Sequence, residues 1–135
     1  MRKDSRLSRM LHILIHMDHM EEAATSDHIA TMLNTNPVVV RRTMGCLRNY
    51  VTSLKGHGGG WRLNVALEDI TLLDIHNALG ESSVFTIGLS DEHTQCLIEQ
   101  AVNRELASAL EASEALLLKR FGDINLAMLA KDFHT

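Results

Sequence analysis

Apolar residues recur at helical spacing through the first third of the chain, shift to short runs, and then return to helical spacing over a long stretch. From residue 5 to about residue 20, Leu7, Leu11 and Leu14 stack on one side, flanked by Met10 and Met17, which predicts a first helix. Residues 21–25 read as a loop. Ser26 suits an N-cap, because its hydroxyl can accept a bond from a free N–H of the first turn. Ile29, Ala30 and Leu33 then share one face before Asn34 and Thr35 break the pattern. Asn36-Pro37 restarts it: Asn caps, and Pro at the first helical position gives up no hydrogen bond. Val40, Met44 and Leu47 follow at i, i+4 and i+7, a stripe to be buried.

Two short helices joined by so brief a turn have helix-turn-helix spacing. Val51 to Leu54 and Trp61 to Leu63 are strand candidates around Gly56-His57-Gly58-Gly59-Gly60, a loop that calls for positive φ and close backbone approach. Since this loop closes a hairpin rather than opening a helix, it does not read as a nucleotide cradle. The stretch predicts a winged helix-turn-helix, and Trp61 is expected to anchor the wing to the core.

Downstream, Glu68 and Asp69 place negative charge at the start of another helix. Ile70, Leu72, Leu73, Ile75 and Leu79 supply its apolar faces, and Gly80 is a fitting stop. Residues 81–90 look irregular, with Val84, Phe85 and Ile87 expected against the core. From Asp91 to Arg120, Leu97, Ala101, Leu106, Leu110, Leu117 and Leu118 interleave with Glu99, Glu105, Glu111 and Glu114, with neither Gly nor Pro. A helix of that length runs roughly 45 Å, too long for so small a body to cover, so a second chain should cover it. Gly122 ends it, and Leu126, Met128, Leu129 and Phe133 predict a short terminal helix. The expected fold is mainly α with a small β-wing. Residues 1–80 form the winged helix-turn-helix region, and residues 81–135 carry the long dimerisation helix and the terminal helix, within a single domain.

Composition narrows the setting. A chain of 135 residues, 45% apolar, is one domain's worth. It holds no apolar run long enough to cross a bilayer, and its start lacks an apolar export core. Two cysteines do not make a disulfide framework, so a cytoplasmic location is expected. The net charge of −4 is unevenly spread. Residues 1–63 carry nine Lys/Arg against five Asp/Glu, whereas residues 64–135 carry four against twelve. A basic docking face on an acidic body fits nucleic acid.

Asn34-Thr35-Asn36-Pro37-Val38-Val39-Val40-Arg41-Arg42, then Leu47-Arg48, then Lys55-Gly56-x-x-Gly59-Gly60-Trp61-x-Leu63, resembles the Rrf-two family of bacterial winged-helix repressors. The likeness continues through Asp69-Ile70-Thr71-Leu72-Leu73-Asp74-Ile75 and, more loosely, to Phe133. It implies a homodimeric, sequence-specific regulator, a repressor on double-stranded DNA with a pseudo-palindromic operator. In one respect the chain departs: Leu47-Arg48-Asn49-Tyr50-Val51 is about two residues shorter than the family's pattern and lacks its glycine. Either the turn is tighter or residues are missing there.

The candidate DNA contacts follow from chemistry. Arg41, Arg42, Arg48, Lys55 and Arg62 can neutralise phosphates or reach bases. Thr25 and Ser26 can donate to phosphate at a helix N-terminus. Asn36, Val38, Val39, Arg41 and Arg42 are placed to meet base edges, the valines against thymine methyls and Arg41 against guanine. His57 at the wing tip suits the negative potential of a minor groove.

Cluster-binding relatives use three cysteines near the start of the long helix, where this chain has only Cys96. One thiolate cannot hold a cluster, so no iron–sulfur cofactor is expected. Cys96 is a candidate redox sensor, against the alternative of a buried small apolar residue, and Cys46 is expected to pack. His12, His16 and His19 share one face of the first helix, a candidate transition-metal site set against a plain solvent-facing side. No nucleophile–base pair or paired carboxylates point to an enzyme. The rival is a winged-helix module that binds a partner enzyme instead of DNA.

Overall fold

The computed structural model describes residues 4–56, 59–80, 84, 85 and 87–131. His57 and Phe133 lie outside the described residues. The described residues form six helices and one hairpin: α1 (Arg6–His19), α2 (Ser26–Leu33), α3 (Pro37–Cys46), β1 (Val51–Leu54), β2 (Gly60–Leu63), α4 (Leu72–Ala78), α5 (Leu97–Gly122) and α6 (Leu126–Ala130). A 3₁₀ turn, Leu67–Asp69, precedes α4.

The core lies where α1, α2, α3 and the base of the wing meet. α1 buries Met10, Ile13, Leu14 and Met17, with Leu7 and Leu11 only partly covered. The buried stripe is therefore rotated from the Leu7–Leu11–Leu14 line, with Ile13 and Leu14 both fully buried at its centre. Ile29 and Ala30 of α2 and Val40, Met44 and Leu47 of α3 and its end complete the centre, as their spacing predicted. Among the described residues no polar or charged side chain is buried, so the core carries no unpaired polar cost.

The turn between α2 and α3 closes on Asn34, whose left-handed backbone (φ 53°, ψ 51°) lets Thr35 N–H donate to Ala30 O at 2.9 Å. Asn tolerates that conformation better than most residues. At the far end of α3 the chain leaves through a tight turn, with Tyr50 N–H donating to Leu47 O at 2.8 Å and Val51 N–H to the same oxygen at 3.0 Å. The short Leu47–Val51 link closes as a tight turn.

β1 and β2 pair antiparallel from Val51↔Leu63 to Leu54↔Gly60. The loop before α2 adds a partner that the sequence does not announce. Ala24 N–H donates to Trp61 O at 2.9 Å, and Trp61 N–H donates to Ala24 O at 2.7 Å. Gly60 makes this approach feasible: its φ is +145°, and a Cβ there would sit 2.5 Å from Ala24 O.

α4 begins with a capping box, Thr71 Oγ1 accepting from Asp74 N–H at 3.0 Å and Asp74 Oδ2 from Thr71 N–H at 2.9 Å. Glu68 and Asp69 lie in the 3₁₀ turn instead of in α4. The C-terminal segment returns to this body. Leu72 N–H donates to Ile124 O and Leu126 N–H to Ile70 O, at 3.0 and 2.9 Å, and Leu126 is fully buried. Residues after 80 therefore contribute to the same core as residues before it.

Two expectations for the second half need correction. The long helix starts at Leu97, six residues later than predicted, because residues 92–95 turn and their backbone groups bond ahead into the helix. His93 N–H donates to Glu99 Oε2 at 3.0 Å, and Gln100 Nε2 donates to Thr94 O at 2.9 Å. Ile87 is exposed rather than held by the core, whereas Val84 and Phe85 are half-buried. α5 buries no residue in this chain, and Leu97 and Ile98 are 78% and 76% exposed.

Candidate nucleic-acid interface

α3 presents two chemically different sides. Val40 and Met44 face the core, and the residues between them face out. Asn36, Val38, Val39, Arg41 and Arg42 are all exposed, Val38 at 57%. An apolar side chain that open on a helix capped and started by Asn36-Pro37 is available for contact with a base methyl. Asn36 Oδ1 accepts from Val39 N–H at 3.1 Å, so its oxygen is committed to the cap and its Nδ2 remains as a donor. Arg48 is exposed just past the helix, and Lys55 is exposed where the hairpin loop begins.

At α2 the cap is Thr25, not Ser26. Thr25 Oγ1 accepts from His28 N–H at 3.0 Å. Ser26 Oγ instead accepts from Trp61 Nε1 at 3.0 Å, which ties the wing to the start of α2. That bond explains the shift: the indole N–H needs a partner when its ring is half-buried, and the Ser26 hydroxyl meets it. Ser26 Oγ–H and the exposed Thr25 hydroxyl can still donate to an anion. Trp61 packs against the core from the wing, as expected of an anchor. Arg62 is exposed on β2, and its Nη2 donates to Glu21 O at 3.1 Å, so it also braces the loop before α2. The structure thus joins the α2 start, the preceding loop and the wing base directly, and joins α2 to α3 through the Asn34 turn.

Both cysteines are exposed. For Cys46 this corrects the packing expectation: it lies two residues past Met44, on the opposite side of the helix from the buried stripe, and its Sγ donates to Arg42 O at 3.6 Å. The same spacing argument applied to Cys46 itself would have found this. Cys96 sits at the N-cap of α5 without a side-chain capping bond. The three α1 histidines do not act alike. His12 and His16 bring their Nε2 atoms to 3.0 Å, whereas His19 turns Nδ1 to Ile15 O at 2.9 Å. The sequence also gave no warning that Thr52, Ser53 and Leu54 of β1 would all be exposed, adding the outer side of the wing to the surface beside Lys55.

Known proteins resemble this chain in sequence and in fold. The Rrf2 family, described as iron-dependent transcriptional regulators, matches residues 4–132. YwnA of Bacillus subtilis, assigned as an HTH-type transcriptional regulator, is 31% identical over 111 residues, covering 81% of this chain and 82% of that protein. Two solved structures share the fold. A protein of Lactobacillus plantarum assigned as a transcriptional regulator gives a TM-score of 0.78 at 22% identity, over 96% of this chain and 89% of that one. CymR of Bacillus subtilis, the global cysteine regulator of that organism, gives 0.62 at 22% identity, over 97% of each chain. Among the described residues no helix is long and apolar enough to cross a membrane. With the buried α3 stripe, the outward arginines and the glycine-tipped wing in place, the chain belongs to the Rrf2 family and is a DNA-binding transcriptional regulator, not an enzyme.

Proposed function

We propose that the protein is a cytoplasmic homodimeric repressor that holds a pseudo-palindromic operator through two copies of α3 and the wing, without an iron–sulfur cluster. The observation that carries this reading is the outward set Asn36, Val38, Val39, Arg41 and Arg42 on a helix whose other side is fully buried. The N-terminal half of such a helix can enter a major groove, while Arg48 and Lys55 take flanking phosphates. Each phosphate neutralised releases counterions, so affinity should fall steeply with salt. Dimerisation is supported by α5, about 39 Å long at its 26 residues, which buries nothing in its own chain and exposes Leu97, Ile98, Val102 and Leu116. A second copy crossing it would cover these and set the spacing of the two recognition helices.

The donor set does not fit a cluster. Iron–sulfur clusters take Cys thiolates or occasional His at every iron. The whole chain has two cysteines, and among the described residues no three His, Cys, Asp or Glu side chains converge. Cys96 is the residue proposed to respond to oxidants, since its exposed thiol stands at the start of the proposed dimer helix. Attack of its thiolate on peroxide would give a sulfenic acid and hydroxide.

The test measures operator affinity across salt concentration, using sites recovered by footprinting the purified protein on genomic DNA. Arg41→Ala and Arg42→Ala should each weaken binding and lower the slope of log affinity against log salt by about 1.8, since a dimer loses one phosphate contact per subunit. Unchanged affinity and slope in both variants would remove α3 from the interface. Mass spectrometry after peroxide treatment reads Cys96 directly; an unmodified thiol with intact DNA binding would end the sensing role.

A further inference from the structure

On α1, His12 and His16 stand one helical turn apart with their Nε2 atoms 3.0 Å from each other. Their ring centroids are 4.6 Å apart and the planes are inclined by 64°. We infer that this pair is a two-histidine chelate for a divalent ion of the copper, nickel and zinc group, bound through both Nε2 atoms with water in the remaining positions.

The spacing is the first support. Imidazole nitrogens bind such ions at about 2.0–2.1 Å, so two of them span about 2.9 Å at a right angle and about 3.3 Å at a tetrahedral one. The observed 3.0 Å falls between these limits. Residues at i and i+4 are neighbours on a helix surface, so the backbone presets the bite. Access is the second support. His12 is exposed, so water and ions reach the pair. Nitrogen donors do not suit magnesium or calcium, which take oxygen ligands.

The chelate has two protein ligands and not three. His19 gives Nδ1 to the Ile15 carbonyl at 2.9 Å, and among the described residues no group of three His, Cys, Asp or Glu is placed to hold an ion. Such a site is moderate in affinity and follows the general order in which copper binds more tightly than nickel or zinc.

Nickel(II) is the probe, because copper(II) would be reduced by the exposed thiols of Cys46 and Cys96. The full-length, tag-free chain is titrated with nickel(II) by calorimetry at pH 7.5, and thermal melts are recorded with and without the ion. One equivalent should bind at micromolar concentration and raise the melting midpoint, since the ion binds the helical arrangement and not the unfolded chain. His12→Ala and His16→Ala should each weaken binding at least tenfold and cancel the rise. His19→Ala should leave both unchanged, and magnesium(II) should do nothing. His12 is exposed, so its variant tests the site even where His16→Ala alters folding, and far-UV circular dichroism reports the fold of each. Nickel binding weaker than millimolar would show a hydrogen-bonded imidazole pair with no chelate. Full affinity in the folded His12→Ala variant, or an equal loss in His19→Ala, would equally overturn the assignment.

Discussion

Gly60→Ala should separate the wing from the helices. Gly60 has φ +145°, a region essentially reserved for glycine, and an added Cβ would lie 2.5 Å from Ala24 O, 2.7 Å from Ala24 C and 3.0 Å from Thr25 N. These are backbone atoms, so no side-chain rotation relieves the contact. Holding alanine in that conformation costs about 1–3 kcal/mol. If the backbone shifts to avoid the clash, it gives up the two bonds between Ala24 and Trp61, at 2.9 and 2.7 Å. Each is worth about 0.5–1.5 kcal/mol. Either route should therefore cost about 1–3 kcal/mol, a sizeable share of the roughly 5–15 kcal/mol that holds an ordinary domain together. Urea unfolding measures it, and amide exchange at Ala24 and Trp61 shows whether the bridge opens. Gly45→Ala is the control of opposite sign: an added Cβ meets nothing within 4 Å, and alanine inside a helix should gain about 0.5–1 kcal/mol. A Gly60→Ala protein within 0.5 kcal/mol of the parent, with Trp61 exchange unchanged, would refute the close approach as the joint between wing and α2.

Other substitutions probe the rest of the frame. Leu126→Ala, at a fully buried position where the C-terminal segment meets Ile70, should cost about 2–5 kcal/mol by urea unfolding, although it lies far along the chain from α3. Asn36→Ala removes the acceptor for Val39 N–H and should cost about 0.5–2 kcal/mol while also weakening operator binding. Leu97→Glu with Ile98→Glu should leave the monomer's unfolding unchanged but abolish the proposed dimer in analytical ultracentrifugation, because both residues are bare in the single chain. His16 is held below its ordinary range by burial and then by neighbouring histidines. The unfolded chain therefore takes up its proton first as pH falls, so this contribution is complete above the unfolded pKa of about 6.5 and is lost below it. The melting midpoint should drop from pH 7 to pH 5, and drop less in His16→Gln.

Much of this arrangement was written in local spacing. The Val40–Met44–Leu47 stripe, the Asn36-Pro37 start and the glycine-rich hairpin each depend on a few adjacent residues, and each appears as expected. The outward face of α3 was legible for the same reason, because Arg41 and Arg42 must face out once Val40 and Met44 face in. Local spacing was silent wherever two residues had equal claims. Thr25 and Ser26 can both cap a helix, and only Trp61, thirty-five residues from Ser26, decides which hydroxyl is taken. Neither Gly nor Pro interrupts residues 91–96, yet the bonds His93 N–H to Glu99 Oε2 and Gln100 Nε2 to Thr94 O hold that segment as a turn.

The sequence by itself determined which face of each short helix is apolar, where glycine and proline punctuate the chain, and on which half the positive charge gathers. The tertiary structure decided the docking of the wing on Ala24, the return of Leu126 to the body and the pairing of His12 with His16 apart from His19. The first set follows from the fixed periods of helix and strand. The second depends on which distant backbone and side-chain groups meet, and on the side chains' own rotamers, neither of which any local period records.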